Sequence, residues 1–286
     1  MLWVQSHLHH RTALSGAPGT PGTTYLVVGS DSRENWIDDG AEGERTDTIV
    51  LIHRPTSGPT ALLSIPRDSY VDIPGYGGNK INAAFAFGGP PLLVQTVEAM
   101  TGLTIDHYLE VGFGGVAGVV DAVGGVEVCH DADVDDPYSG MVWTAGCHQV
   151  NGVEALAFSR MRYQDPLGDI GRTQRQRQLM AAVGDKALSP GTWLWPPRGH
   201  AVAQAGLDAF TVSDGTSVFD LVQAAFIFRS ALGPDAVTGT PPIASVDYRV
   251  EGAGSTVLLD PDAAPEFWRM IATGAFPPGT QVGGVG

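Results

Sequence analysis

The sequence predicts an α/β protein in which helices cover both faces of a central sheet. From residue 24 to about residue 260, short apolar runs that suit buried strands alternate with helical segments, a pattern typical of α/β layers. The chain has 286 residues, of which 43% are hydrophobic. It can therefore bury a full core and is too apolar to be disordered throughout.

The first half of the chain carries most of the predicted strands. Apolar runs bounded by turn residues indicate them, and they cover residues 24–29, 47–53, 60–65, 107–111 and 126–129. Two helical segments follow the third strand, residues 82–87 and 91–100. Pro91 starts the second and Gly102 lies just past its end, as helix termini favour. Residues 113–123 are expected to form a helix of small residues.

The second half is predicted to be mainly helical, with one hairpin near its end. Asn151 suits the N-cap of a helix over residues 152–158, and residues 173–188 form the longest predicted helix. Residues 190–199 hold three prolines and two tryptophans and are expected to be a loop. The remaining elements are an apolar helix and the two strands of a β-hairpin, over residues 218–229, 243–251 and 255–259.

We expect one domain over residues 23–286, because neither a composition shift nor an internal repeat divides this stretch. Residues 5–24 are polar, contain His and are rich in Gly, Pro and Thr, which predicts a flexible lead-in over residues 1–22. The chain contains no run of about 18 apolar residues that could span a membrane, and its apolar start is too short for a signal peptide. If the protein is exported, its targeting segment lies outside this sequence.

The charge balance argues against two kinds of partner. The chain carries 31 Asp and Glu against 16 Lys and Arg, a net charge of −15. A general nucleic-acid-binding protein needs a positive surface for phosphate, and adhesion to anionic lipid needs clustered basic residues. We therefore expect no nucleic acid as a partner and regard most of the acidity as a solvated surface.

The basic residues are concentrated in one stretch. Only two are lysines, and five of the arginines lie between residues 160 and 177: Arg160, Arg162, Arg172, Arg175 and Arg177. Arginine offers a rigid bidentate fork to phosphate or carboxylate, so the stretch predicts an anion site. A helix face that exchanges salt bridges with neighbouring acids explains the same pattern equally well.

The spacing of these residues suggests how they could converge. Arg160 and Arg162 would share a face in an extended chain, which is the expected geometry if the preceding helix ends near residue 158. Three residues of the long predicted helix share one face near its N-terminus, where the helix dipole also favours an anion: Arg172, Arg175 and Gln176.

Polar residues also cluster where the predicted strands end. The strand ends carry three carboxylates and three interleaved arginines: Asp31, Asp47, Asp68, Arg33, Arg45 and Arg67. Ligand sites of α/β sheets lie at strand ends, and converging carboxylates bind a hard cation or share a proton. The mixture therefore suits a metal–phosphate site. The alternative is that these residues are turn formers and helix caps.

Cys129 and Cys147 flank a polar, turn-rich segment. Two cysteines do not make a zinc site, and we favour a disulfide that closes this loop, hence an oxidising compartment. Two free thiols in the cytosol are the alternative. No GxSxG, HExxH or GxxxxGK[ST] motif occurs, and we interpret His53, His107, His130 and His148 as structural.

Seven short motifs occur in order along the chain: Gly29-Ser-Asp31-Ser-Arg33, Arg45-Thr-Asp47-Thr, Ser64-Ile-Pro-Arg67-Asp68, Lys80-Ile-Asn82-Ala83, Val123-Gly-Gly-Val126, Arg160-Met-Arg162 and Gly171-Arg172-Thr-Gln-Arg175-Gln176. Together they closely resemble the LytR-CpsA-Psr family of bacterial cell-wall assembly enzymes, over roughly residues 23 to 190.

The resemblance implies a three-layer α-β-α sandwich with a mixed central sheet. It implies an extracytoplasmic phosphotransferase, anchored by an N-terminal membrane helix that this sequence lacks. Such an enzyme moves a glycopolymer from a polyprenyl pyrophosphate carrier to peptidoglycan as a phosphodiester, with Mg²⁺ or Mn²⁺. The preference for arginine and the cysteine pair are similar to actinobacterial members, which would make the polymer arabinogalactan. A polyprenyl pyrophosphate phosphatase and a non-catalytic module that binds lipid-linked polymer remain alternatives.

By motif match, Asp31 and Asp47 are the expected metal ligands. The other residues expected to take part in catalysis or to bind phosphate are Arg33, Arg45, Arg67, Asp68, Lys80, Asn82, Arg160, Arg162, Arg172, Arg175 and Gln176. Asp68 or one of the two metal ligands could be the general base for the acceptor hydroxyl. Residues 34–44 form a long acidic insert between the first two motifs, which could alter access to the site.

Overall fold

The structure of the protein is a computed structural model, which describes residues 8–30, 46–161 and 168–285. The strands, in chain order, are β1 (His9–Arg11), β2 (Thr23–Ser30), β3 (Thr46–Arg54), β4 (Ala61–Ile65), β5 (Tyr70–Ile73), β6 (Gly77–Lys80), β7 (His107–Gly112), β8 (Val126–His130), β9 (Val134–Asp136), β10 (Met141–Trp143), β11 (Gly146–Val150), β12 (Phe210–Ser213), β13 (Val237–Val250), β14 (Gly254–Leu259) and β15 (Gln281–Val285). The helices are α1 (Ile81–Thr101), α2 (Phe113–Ala122), α3 (Gly152–Arg160), α4 (Gly168–Ala187), α5 (Pro190–Trp193), α6 (Pro196–Ala209), α7 (Val218–Ala231) and α8 (Ala264–Thr273).

The chain divides into two compact units. The first comprises residues 1–111 and 211–286, and the second comprises residues 112–210. The single domain expected over residues 23–286 stays a prediction.

A mixed nine-stranded sheet organises the first unit. Its strands follow the order β1-β12-β7-β2-β3-β4-β13-β14, and β15 pairs with β13. β3 is antiparallel to both β2 and β4, whereas β4 is parallel to β13. The five strands predicted for the first half of the chain are present, each within one residue at either end.

Helices cover both faces of this sheet. Side chains alternate between the faces along each strand, so Tyr25 and Leu26 of β2 point to opposite sides. Leu26 belongs to a buried cluster that includes Leu93 of α1 and Trp268 of α8. Tyr25 contacts Phe228 of α7, with ring centroids 6.4 Å apart. The predicted three-layer α-β-α arrangement with a mixed sheet is therefore confirmed.

Helix α1 joins the two helices that the sequence separates. The backbone leaves helical geometry at Gly88 and Gly89, where Gly89 has φ of +63°, a conformation that only glycine adopts easily. Helical geometry resumes at the two prolines that follow. The helix ends at Gly102, in the left-handed conformation, whose N–H donates to the Glu98 carbonyl oxygen at 2.8 Å, as the sequence predicts.

The start of the described chain differs from the flexible lead-in that its composition predicts. His9–Arg11 forms a strand parallel to β12, and Ala13 is buried in the main core. Arg11 Nη1 donates to Glu110 Oε2 at 3.3 Å. The sequence could not reveal this, because the partner strand lies about 200 residues away and the segment has no local apolar pattern.

The second unit packs its helices against two short hairpins. β8 pairs with β11 and β9 with β10, each pair antiparallel. The core of this unit contains Val128 of β8, Phe158 of α3 and Leu179 of α4. Asn151 is the N-cap of α3 as predicted: it accepts from the Glu154 N–H at 3.0 Å, and the Glu154 carboxylate accepts from the Asn151 N–H.

Cys129 and Cys147 are directly opposite in the β8–β11 pair and form a disulfide. Pairing across an antiparallel ladder brings the two side chains to the same face of the hairpin. The disulfide therefore closes the polar segment between residues 129 and 147, as the sequence predicts.

The prediction of a loop over residues 190–199 is wrong, because Pro190–Trp193 and Pro196–Ala209 are helical. A proline at the first position of a helix loses no hydrogen bond, since that N–H has no partner within the helix. The prolines therefore mark helix starts here. α6 packs closely on α2: a Cβ on Gly115 would lie 2.5 Å from Ala209 Cα.

Three of the four histidines that the sequence predicts to be structural have structural contacts, and the role of His130 stays a prediction. His107 stacks on Tyr25, with ring centroids 4.7 Å apart, and His148 meets the Trp143 ring at the same distance. His53 is buried between Thr24 Oγ1, 3.0 Å from Nδ1, and the Ala272 carbonyl oxygen, 3.3 Å from Nε2. The carbonyl can only accept, so we assign the ring proton to Nε2.

Among the residues that the structure describes, no helix is both long enough and apolar enough to cross a membrane.

Replacing both cysteines by serine should lower the free energy of unfolding by about 3 kcal/mol, because the disulfide restricts the unfolded chain. Urea unfolding of the double variant and of the parent protein would measure this difference. Adding reductant should destabilise the parent and leave the double variant unchanged, and equal stability of both proteins without reductant would contradict the prediction.

His53 should make the protein less stable below about pH 6.5, the ordinary histidine pKa. Burial lowers the pKa of His53 in the folded state, so the unfolded chain binds the proton more readily and stability falls as pH drops through the unfolded value. A His53→Gln variant cannot titrate. We therefore expect its stability deficit relative to the parent to shrink between pH 7.5 and 5.5 in urea unfolding. A constant deficit would contradict this account.

Candidate functional site

Three of the predicted polar motifs meet at one edge of the sheet in the first unit. Ser30, at the end of β2, pairs with Thr46 at the start of β3. Ile65, at the end of β4, pairs with Ile49 near the start of β3. Because neighbouring antiparallel strands end where their partners begin, the end of β2, the start of β3 and the end of β4 share this edge, which we call the polar edge.

A β-bulge shapes the polar edge where β2 ends. Gly29 pairs with Thr48 and Ser30 with Thr46, so Asp47 is the extra residue of β3. Bulges of this kind occur often beside active sites, because they redirect a side chain and stop the pairing. The Thr46 hydroxyl is buried here and has no hydrogen-bond partner among the residues that the structure describes. The bulge therefore places the main chain of a predicted metal ligand next to an unsatisfied oxygen.

Several of the predicted site residues lie wholly or partly outside the part of the chain that the structure describes. Asp31, Arg33, Arg45 and Arg162 fall outside the described residues, and for Asp47 and Arg172 only the main chain is described. Their roles stay predictions.

Arg67, Asp68 and Lys80 come together at the polar edge. Lys80 Nζ lies 2.9 Å from Asp68 Oδ1, and Arg67 Nε lies 3.6 Å from Asp68 Oδ2. The three side chains are about one-third exposed. The Asp68 carboxylate thus lies between two cations, and all three groups stay accessible to a ligand. The group can therefore accept a hydrogen bond from a hydroxyl and offer positive charge to a phosphate.

Main-chain hydrogen bonds hold this group at the start of α1. The Ile81 N–H donates to the Ser69 carbonyl oxygen at 2.8 Å, and the Asn82 N–H donates to the Arg67 carbonyl oxygen at 3.2 Å. Both N–H groups belong to the first turn of α1, which has no partners for them within the helix. The turn after β4 thus acts as the cap of α1, and it places Asn82 beside Arg67.

Ser69 belongs to this site, although the sequence analysis missed it. Its side chain is fully buried, and within the described part of the chain its hydroxyl has no hydrogen-bond partner. Val257 of β14 reaches the same turn: its N–H donates to the Asp68 carbonyl oxygen at 2.9 Å. No local signal could have connected β14 with this turn, because the two segments are far apart in the sequence.

In the second unit, Arg160 lies in the last turn of α3 and not in an extended segment. The helix continues to Arg160, two residues beyond the predicted end, and Met161 follows it with extended backbone. The prediction that Arg160 and Arg162 share one face assumes an extended chain at both residues. That assumption is wrong for Arg160, which is helical. The side chain of Arg160 is exposed.

Arg175 binds the C-terminal end of α3. Its Nε donates to the Phe158 carbonyl oxygen at 3.1 Å, and its Nη2 donates to the Met161 carbonyl oxygen. The side chain is only 5% exposed. Helix C-termini leave carbonyl groups without partners, and a cation there is also favoured by the helix dipole. This geometry supports a positioning role for Arg175 more than the predicted phosphate contact.

Gln176 is partly buried on α4, which extends from Gly168 to Ala187. The described helix begins five residues earlier than predicted, so Arg172 and Gln176 are farther from its start than the dipole argument assumed. That argument is correspondingly weakened, since the dipole acts mainly within the first turn.

Mg²⁺ and Mn²⁺ prefer carboxylate and hydroxyl oxygens as ligands, and the buried Thr46 hydroxyl lies next to Asp47 in the chain. Among the described residues, no group of three His, Cys, Asp or Glu could hold a metal. Asp31 and the Asp47 side chain lie outside the described part of the protein, so the metal site stays a prediction.

The fold and the polar edge define an α/β protein with a candidate ligand site at the strand ends of a mixed sheet. The chain belongs to the LytR_cpsA_psr family, whose profile matches residues 6–205. The resemblance that the motifs indicate is thereby confirmed.

Three relatives illustrate the membership. The "probable cell wall biosynthesis protein LcpB" of Corynebacterium glutamicum is 45% identical over 271 residues, which cover 91% of this chain and 64% of that protein. The "polyisoprenyl-teichoic acid–peptidoglycan teichoic acid transferase TagU" of Enterococcus faecalis is 42% identical over 169 residues, 58% of this chain and 54% of that protein. The solved "LytR-Csp2A-Psr enzyme from Actinomyces oris" has the same fold, with a TM-score of 0.70 at 20% identity over 95% of this chain and 98% of that one.

The chain thus spans just under two thirds of the first curated relative and about half of the second.

Replacing Arg175 by alanine should destabilise the second unit by about 1.5–3 kcal/mol, the scale of hydrogen bonds to a charged group. The change removes the partners of two carbonyls at the end of α3. Urea unfolding would measure the loss. Gln176→Ala, on the next residue of the same helix, is the matched control and should change stability by less than about 0.5 kcal/mol. Equal effects of the two variants would contradict the positioning role.

Proposed function

We propose that this protein is an extracytoplasmic phosphotransferase that moves a glycopolymer from a polyprenyl pyrophosphate carrier to peptidoglycan. Family membership and the name of the Enterococcus relative, a polyisoprenyl-teichoic acid–peptidoglycan transferase, support this kind of reaction. The observation that carries the proposal for this chain is the Arg67–Asp68–Lys80 group at the polar edge, which offers both cations and a carboxylate.

The reaction joins the polymer to the acceptor through its own phosphate. A hydroxyl oxygen of peptidoglycan attacks the phosphorus next to the polymer, the bond from that phosphorus to the bridging oxygen breaks, and polyprenyl phosphate leaves. The hydroxyl proton passes to a base. Such a transfer depends mostly on positioning and on neutralising charge, and it needs no covalent nucleophile on the protein.

The residues of the polar edge supply these functions in the proposal. Arg67 and Lys80 lie close to Asp68. The two cations would bind the phosphate of the same substrate complex that the Asp68 carboxylate contacts. Asp68 is a candidate base because its carboxylate is part-exposed and can accept a hydroxyl proton. Asp31 and Asp47 would hold Mg²⁺ or Mn²⁺, which when bound neutralises charge on the phosphate oxygens.

The arginines of the second unit are proposed to bind phosphate as well. Arg160 is exposed at the end of α3, and Arg162 and Arg172 match the family motifs. Arg175 would act indirectly, by holding the end of α3 on which Arg160 lies.

The compartment and the polymer also belong to the proposal. The Cys129–Cys147 disulfide supports an oxidising, extracytoplasmic location, with membrane attachment through an N-terminal anchor outside this sequence. The similarity to the Corynebacterium protein extends over more of the chain than that to the Enterococcus protein, and we propose arabinogalactan as the polymer.

A reconstituted assay tests the proposal. The protein would be incubated with a polyprenyl pyrophosphate-linked glycan, peptidoglycan and Mg²⁺, and the product examined by mass spectrometry for a phosphodiester link. Phosphate release without linkage would establish the phosphatase alternative, and binding without either product would establish a binding module. Parallel reactions with arabinogalactan and teichoic acid donors would decide the polymer.

Two variants should separate chemistry from binding. Asp47→Ala should abolish transfer, because the proposed metal loses a ligand.

Arg160→Ala should weaken the binding of polyprenyl pyrophosphate by about 1.5–3 kcal/mol, since it removes a charge-assisted hydrogen bond. Calorimetric titration would measure the affinity. Arg269→Ala is the control, because Arg269 is exposed and pairs with Glu266 on α8, and it should bind like the parent. Unchanged affinity of the Arg160 variant would exclude the phosphate contact.

A further inference from the structure

The β5–β6 hairpin presents an open face beside the Asp68–Lys80 pair. Val71 and Ile73 of β5 point into the main core, so Tyr70 and Asp72 point to the other side. Tyr70 pairs directly with Lys80 across the hairpin, and directly opposed residues have their side chains on the same face. The open face therefore carries an aromatic ring next to the lysine that binds Asp68.

A second tyrosine joins this ring from the other end of the sequence. Tyr248 of β13 is opposite Thr256 of β14. The next residue of β14, Val257, is hydrogen-bonded to the Asp68 carbonyl oxygen. The Tyr70 and Tyr248 ring centroids are 5.8 Å apart, with their planes inclined by 59°. Tyr248 is 40% exposed, so the pair, which we call the tyrosine platform, is open to a ligand.

Gly78 makes room for the platform. A Cβ at this position would lie 2.1 Å from Tyr70 Oη and 2.6 Å from Tyr70 Cζ, closer than two atoms can approach. The Tyr70 ring thus lies across the hairpin on the site of a missing side chain. A side chain at position 78 would compete with the Tyr70 ring for this space.

The chemistry of this surface fits a sugar ring better than a lipid chain. Aromatic rings offer a flat apolar face with a polar tip, and the C–H groups of a pyranose ring pack well on such a face. The adjacent carboxylate of Asp68 and ammonium of Lys80 can hydrogen-bond the sugar hydroxyls. A polyprenyl chain would need apolar surroundings, whereas Asp72 and Lys80 lie on this face of the hairpin.

We propose that the tyrosine platform binds a pyranose ring of the acceptor glycan, next to Asp68. This inference rests on the proposed transfer to peptidoglycan, and it adds where the acceptor lies. Among the described residues of this edge, Asp68 offers a carboxylate that can accept a hydrogen bond from the attacking hydroxyl. A ring stacked on the neighbouring tyrosines would bring that hydroxyl to Asp68.

Saturation-transfer NMR with peptide-free, soluble peptidoglycan glycan strands tests the platform without donor, metal or carrier. Tyr248→Ala should weaken binding about three- to tenfold, the range measured for aromatic contacts. Tyr248→Phe should bind like the parent, because it keeps the ring and loses only the hydroxyl. Gly78→Ala should weaken binding too, since it displaces Tyr70. Tyr138→Ala, which alters a ring that is 82% exposed in the second unit, is the control.

Three outcomes would overturn the platform. One is equal binding by the Tyr248→Ala variant and the parent. Another is loss of binding by Tyr248→Phe, which would mean a hydroxyl contact and no stacking. The third is loss of binding only in a Tyr76→Ala variant, which would place the sugar at the hairpin tip, where Tyr76 stacks on Phe87. Because glycan binding is measured apart from transfer, a failed transfer assay with intact binding would disprove the proposed reaction alone.

Discussion

The antiparallel pairing of β3 with both β2 and β4 is the constraint on which the polar edge depends. A shift of one residue in either pairing would turn every inward side chain to the opposite face, so the buried apolar residues of all three strands determine the register. That register brings the end of β2, the bulge at Asp47 and the turn at Arg67 to one edge. The packing of the apolar core thus positions polar residues that are not themselves part of the core.

The turn after β4 connects this edge to the rest of the first unit. Its carbonyl groups accept from the first turn of α1, and its Asp68 carbonyl accepts from β14. One short segment therefore links the sheet, the helix that starts at Ile81 and the hairpin that carries Tyr248. The charged side chains extend from a backbone whose hydrogen bonds are already satisfied, which keeps them in place without burying them.

Similar arginines have different roles because their surroundings differ. Arg175 is buried against the carbonyls at the end of α3, whereas Arg160, in the last turn of the same helix, is exposed. In a chain with a net charge of −15, an exposed arginine provides a local positive potential. A buried one mainly completes the hydrogen bonding of a helix end. The spacing of Arg160 and Arg175 in the sequence does not distinguish these two roles, and by itself it predicts that both residues belong to one anion site.

The sequence by itself determined the local elements and the family. The apolar runs indicated the strands, Asn151 and Gly102 marked helix ends, and the order of the motifs indicated the family. Only the tertiary structure decided which distant segments meet: β1 with β12, β14 with the Asp68 turn, and Tyr248 with Tyr70. Local patterns report backbone preference and burial, which depend on near neighbours. Long-range contacts arise from the packing of the whole chain, and no single segment encodes them.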